Sequence, residues 1–211
     1  MATIESFKPY HIGIKLKPLN FGQMKEDLKK ILKTKGYDVI EEPSPIVPPI
    51  ETLATKDETE IRFNNDAQAL NTVGGDPEKV KEIFEDVHSI VLDKLGYEPD
   101  VSVLFYEIVA TIIVKTDKKP VDVLTGTSNI DLTKIGRELD GSIQGIRISS
   151  KGAQPSDFKW FNLVIEPNPT SPSSRYIIRM VYRDPSVDEL KSFHQVFEKR
   201  IMELIASIEG E

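Results

Sequence analysis

Asp76 to Leu95 reads DPEKVKEIFEDVHSIVLDKL, and Ser186 to Ile205 reads SVDELKSFHQVFEKRIMELI. Each stretch opens on a helix N-cap. Asp76 is followed by a proline at the first helical position, and Ser186 by Glu189 in a capping-box spacing. Laid cap on cap, Val80 pairs with Leu190, Ile83 with Phe193, Val87 with Phe197, Val91 with Ile201 and Leu95 with Ile205. The apolar stripes of two long helices therefore coincide, which points to a unit used twice.

Working outward, the same order of elements precedes each helix. Tyr10, Ile12, Ile14 and Leu16 alternate with polar residues as a half-buried strand, and Val101 to Lys115 is β-branched and aromatic, with Tyr106 in the place of Tyr10. Asn20 opens a helix carrying Phe21, Met24, Leu28, Ile31 and Leu32 that ends at Gly36, and Asp131 opens a shorter one carrying Leu132, Ile135 and Leu139. Further strands are expected at 37–40 and 59–63 in the first part, and at 143–149, 158–166 and 176–183 in the second. The proline-rich Pro43 to Pro49 cannot be a central strand, because proline lacks the ladder donor. Val39-Ile40-Glu41 is echoed by Val164-Ile165-Glu166, and Ile61-Arg62 by Ile178-Arg179. Convergence also produces matched amphipathic helices, so the ordered series carries the inference rather than any one pair. The fold class is α+β: a curved antiparallel sheet from two pseudo-repeats, residues 1–98 and 99–211, in one continuous unit, with both long helices packed on one face.

Composition fits a soluble globular chain, with 39% apolar and 29% charged residues and no apolar run near a membrane span. A cytoplasmic setting is the default expectation. Absence of cysteine excludes disulfides, thiolate metal sites and a cysteine nucleophile. The formal charge is −7, and the two long-helix segments, 76–94 and 184–211, carry all of it. Residues 142–183, by contrast, are net positive through Arg147, Lys151, Lys159, Arg175, Arg179 and Arg183.

Lys94-Leu95-Gly96-Tyr97, followed by Glu107-Ile108-Val109-Ala110-Thr111, resembles the junction between the halves of the TATA-box-binding-protein family. That resemblance implies a saddle, a curved antiparallel sheet with two long helices on its convex side. It covers the element order of most of the chain but only a short run of specific positions. Where the family presents an asparagine to the minor groove, this chain has Glu107, and the matching place in the first half is His11. A carboxylate there meets phosphates and acceptor-rich base edges unfavourably. With no counterpart of the family's wedging phenylalanine pairs either, TATA-box DNA is not an expected partner.

Alternation along the last strands assigns a candidate site. Tyr176, Ile178, Met180 and Tyr182 face the helices, leaving Arg175, Arg179 and Arg183 on the opposite face. Trp160 and Asn162 join them from the neighbouring strand, Arg147 from the next, and Arg62 extends the surface into the first half. Arginine offers paired donors to an anion and tryptophan a stacking plane, so the first reading is a non-catalytic binding module using an exposed sheet face, for an anionic ligand or a protein partner. The alternative is a small-ligand pocket, with or without catalysis, between the last long helix and the sheet. Nucleic-acid binding comes third. Such a face is also read as ordinary solvated sheet whose arginines pair with cross-strand acids. His88 and His194 do not occupy equivalent positions and are read as helix-surface or boundary residues, not metal ligands. No catalytic residue, cofactor or metal is expected, and homo-oligomer formation is left open.

Overall fold

Tyr10, Ile12, Ile14 and Leu16 are buried in a strand longer than their alternation suggests, β1 (Thr3–Leu16). This computed structural model describes residues 2–17, 21–41, 49–126 and 145–211. After β1 come α1 (Phe21–Thr34), β2 (Asp38–Val39), β3 (Ile50–Lys56), β4 (Thr59–Asn64), β5 (Ala69–Gly74) and α2 (Pro77–Ser89). The second part comprises α3 (Pro99–Ser102), β6 (Val103–Lys115), α4 (Pro120–Gly126), β7 (Ile146–Ser149), β8 (Trp160–Pro167), β9 (Arg175–Asp184) and α5 (Val187–Glu209). The helix expected from Asp131 lies outside the described residues, as does most of the proline-rich stretch.

The strands form one antiparallel sheet in the order β2-β3-β4-β5-β1-β6-β9-β8-β7. At its centre Ile12 lies opposite Ile108, Tyr10 opposite Ala110, and Ile14 opposite Tyr106. Two strands escape the sequence reading, β3 and β5. They are joined to β4 by tight turns in which Asp57, Glu58 and Gln68 take positive φ, a conformation usually announced by glycine or asparagine.

Both long helices begin at the expected caps. Asp76 accepts from the backbone N–H of Glu78 and Lys79 at 3.0 and 3.2 Å, and Ser186 accepts from Glu189 N–H at 3.4 Å. α5 ends at Gly210, whose left-handed backbone (φ 74°) closes the helix. α2 does not run straight to Leu95. It passes into a π-helical turn, Ile90–Lys94, and the extra residue turns both Ile90 and Val91 into the core while Leu95 is only partly covered.

Each long helix follows a strand that flanks the central β1–β6 pair, α2 after β5 and α5 after β9. The two shorter sequence echoes fall on non-equivalent strands. Counting outward from the central β1–β6 pair, Val39 stands on the fifth strand but Val164 on the third, and Ile61 on the third but Ile178 on the second.

The core is continuous across the sheet. Ile12, Ile108, Ala110, Ile112, Ile178 and Met180 are buried with Val80, Val87, Phe197 and Ile201 of the helices. Tyr182 stacks on Phe193 of α5 with 3.9 Å between ring centroids and 4° between planes. Each fully buried Val, Ile, Met or Phe among them contributes roughly 1.5–3 kcal/mol.

Candidate functional site

The register brings one polar row across six strands on the face opposite Tyr176, Ile178 and Met180. Arg62 lies opposite Asn71, Asn71 opposite Gly13, Gly13 opposite Glu107, Glu107 opposite Arg183, and Arg183 opposite Trp160. Gly13 leaves room for the Asn71 amide, since a Cβ there would lie 2.2 Å from Asn71 Oδ1 and that side chain would have to move. Arg183 is the hub of this row: it pairs with Glu107, donates to the Pro155 carbonyl at 2.6 Å, and lies over the rings of Phe105 (4.8 Å) and Trp160 (5.4 Å). Trp160 is consequently only 8% exposed and presents no open stacking plane, contrary to the expectation of an exposed tryptophan.

The six predicted site residues share this face without converging. Arg147 Nε donates to Asn162 Oδ1 at 2.7 Å, and Val164 separates Arg147 from Arg179 in the next row. Arg179 pairs with Glu166, and Arg175 makes a two-pronged bond to Glu5 at 2.6 and 2.8 Å. Arg62 bonds Glu60 at 2.8 Å and stands four strands from Arg183, about 19 Å at ~4.8 Å per strand. The hydrogen bonds from Arg175 and Arg62 hold Glu5 and Glu60 below the usual carboxylate range. Near Arg62, His11 is held below the ordinary histidine value by burial and then by the Arg62 charge, and its Nε2 has no hydrogen-bond partner among the described residues.

On the other side of the sheet, a groove of about 570 Å³ lies between α5 and strands β7–β9. Ile148, Phe161, Leu163 and Met180 form its floor, and Phe193, Val196 and Leu204 its helical wall. Glu189, Ser192, Gln195 and Arg200 stand at its polar rim. Phe161, Val196 and Leu204 are only partly buried, so apolar surface faces the open space. Sequence reasoning set a pocket between the last long helix and the sheet but did not single out Val196 or Leu204 of its wall. Val196 and Leu204 sit one position before Phe197 and Ile205, widening the stripe of α5 beyond what a single sheet contact needs, and that width was the available signal.

His194 is buried rather than at the surface or boundary, whereas His88 is half-buried, a boundary position. His194 is 4% exposed, with Nδ1 2.6 Å from the Tyr10 hydroxyl and Nε2 3.1 Å from Glu78 Oε1. His88 Nε2 lies 3.0 Å from the Tyr106 hydroxyl. Burial pushes both imidazoles down, and pushes the Tyr106 phenol up to about 12. Tyr10 has no solvent exposure, so its bond to His194 links β1 to α5 inside the molecule, and Glu78 carries the chain of polar atoms to the surface. At the far end of α5, buried Glu209 accepts from Thr116 at 2.6 Å and Tyr176 at 3.3 Å.

Among the described residues no group of three or more metal-ligating side chains comes together, and no helix is long and apolar enough to cross a membrane. Comparison with protein-family models, with curated proteins and with solved structures finds no match for this chain.

Proposed function

We propose that this protein is a non-catalytic binding module whose ligand, a small molecule with an apolar body, seats in the groove between α5 and the β7–β9 edge. The observation that carries the reading is the groove itself. Its volume lies within the roughly 300–1,000 Å³ of ligand sites, and its floor is apolar with polar groups confined to the rim.

The reading includes a saddle of two related halves, with both long helices on one face. Three features support it. Tyr10 and Tyr106 exchange places about the Ile12–Ile108 pair. Counted outward from the centre, β5 answers β9, β4 answers β8 and β3 answers β7. Each tyrosine bonds a histidine of the long helix that follows the other half's strands.

A second reading keeps the arginine-bearing face as the site for an anionic ligand. Arg147 favours it, because its guanidinium bonds Asn162 and meets no carboxylate among the described residues. Against it, an anion at Arg62, Arg175, Arg179 or Arg183 must displace a carboxylate. Nucleic acid faces the same obstacle.

Calorimetric titration with decanol tests the first reading. It predicts saturable one-to-one binding to the native chain, lost in Ser192→Trp, which fills the groove mouth from an exposed position. Absence of saturable binding, or binding indifferent to Ser192→Trp, removes the groove as the site.

A further inference from the structure

Resting on the groove reading, we infer that the ligand is an amphiphile with an anionic head and that Arg200 holds the head. Arg200 lines the groove one helical turn from Val196 on one side and from Leu204 on the other, so its charge stands directly beside the apolar wall. The four sheet arginines 62, 175, 179 and 183 each have a carboxylate, and Arg147 has Asn162. Arg200 is the described arginine with neither an ion pair nor a hydrogen-bond acceptor. Its nearest candidate, Glu203 three residues on, is drawn to Lys199 at 3.6 Å. An arginine held beside apolar surface without an acceptor matches a carboxylate or phosphate head, which accepts two parallel N–H donors.

The opposite charge at the rim is placed to reject the reverse orientation. Glu189 stands eleven residues before Arg200, about 16 Å along the helix, so an anionic head at Arg200 and its chain over Val196 and Phe193 need not approach that carboxylate. Floor residues Ile148, Phe161 and Leu163 offer the chain only apolar contact. A ligand of this kind is selected at two points, by apolar burial along the groove and by charge at one place on its wall.

The test is a charge series of one chain length: decanoate, decanol and decylamine, titrated below their aggregation thresholds into the native chain and into Arg200→Gln. The expected result is decanoate tighter than decanol by roughly fivefold, the scale of a solvent-accessible ion pair, with decylamine weakest. Arg200→Gln should erase the preference for decanoate over decanol. Equal affinity for decanoate and decanol, or a preference that survives Arg200→Gln, overturns the anionic-head inference and leaves the groove reading standing. Failure of all three to bind overturns both.

Discussion

The Tyr10 hydroxyl and His194 Nδ1, 184 residues apart in sequence, lie 2.6 Å from each other in the buried centre of the molecule. With the phenol donating to Nδ1, the ring proton sits on Nε2 and is directed at Glu78 on α2, 3.1 Å away. One imidazole thus ties the central strand β1 to both long helices.

That bond has a measurable weight. Tyr10→Phe keeps the ring stacked on Phe197 but leaves a buried nitrogen without its donor, and should lower stability by about 1–2 kcal/mol in urea denaturation. Tyr10→Phe and His194→Phe together should cost less than the sum of the two single changes. Strict additivity would show that the two side chains contribute independently.

Acid should weaken the fold before any carboxylate titrates. Burial is the first cause depressing His11, His88 and His194 below their usual 6.5. The unfolded chain therefore binds protons at pH values where the folded chain does not, and stability falls as pH drops through about 6.5. The loss levels off once the folded histidines also protonate. Carboxylates held low by cations, such as Asp86 and Glu60, contribute only at still lower pH. Denaturation midpoints at pH 7.5, 6.5 and 5.5 should decline in that order, less steeply in His194→Gln. A midpoint unchanged or rising towards acid contradicts the assignment.

Arg183 covers Trp160, and its removal should be visible in the chain's single indole. Arg183→Gln loses the stacking over two rings and leaves Glu107 without its cation. Tryptophan emission should shift to the red with a stability loss of about 1–2 kcal/mol. An unshifted spectrum would mean that other groups shield the indole.

Gly13 and Asn71 should behave as a pair. Gly13→Ala places a methyl against the Asn71 amide and should cost about 1 kcal/mol, the low end of overpacking. Adding Asn71→Ala removes the obstruction and should recover most of the loss. If the double variant is no better than Gly13→Ala alone, the backbone rather than the amide demands glycine.

Local chemistry made much of the scaffold legible. Asp76 and Ser186 cap the helices where their spacing says they must, and period-2 alternation assigns Tyr176, Ile178 and Met180 to the core. Strands β3 and β5 were hidden because Asp57, Glu58 and Gln68 make turns without the usual glycine signal. Trp160 illustrates a second limit: alternation gives its face correctly, but its exposure depends on Arg183, a neighbour fixed only by cross-strand register. His194 was misjudged for a related reason, since Tyr10 reaches it across the whole chain. The groove depends on how far α5 stands from the sheet edge, a tertiary quantity that periodicity does not encode.

The central claim is that the space beside α5 is a ligand site. Methyl-resolved NMR during a decanol titration tests it most directly, by comparing Ile148, Leu163, Val196 and Leu204 of the groove with Ile12 and Ile108 of the sheet centre. The account predicts saturable shifts confined to the four groove residues and abolished by Ser192→Trp. Shifts spread evenly over both sets, or none at saturating decanol, would contradict it.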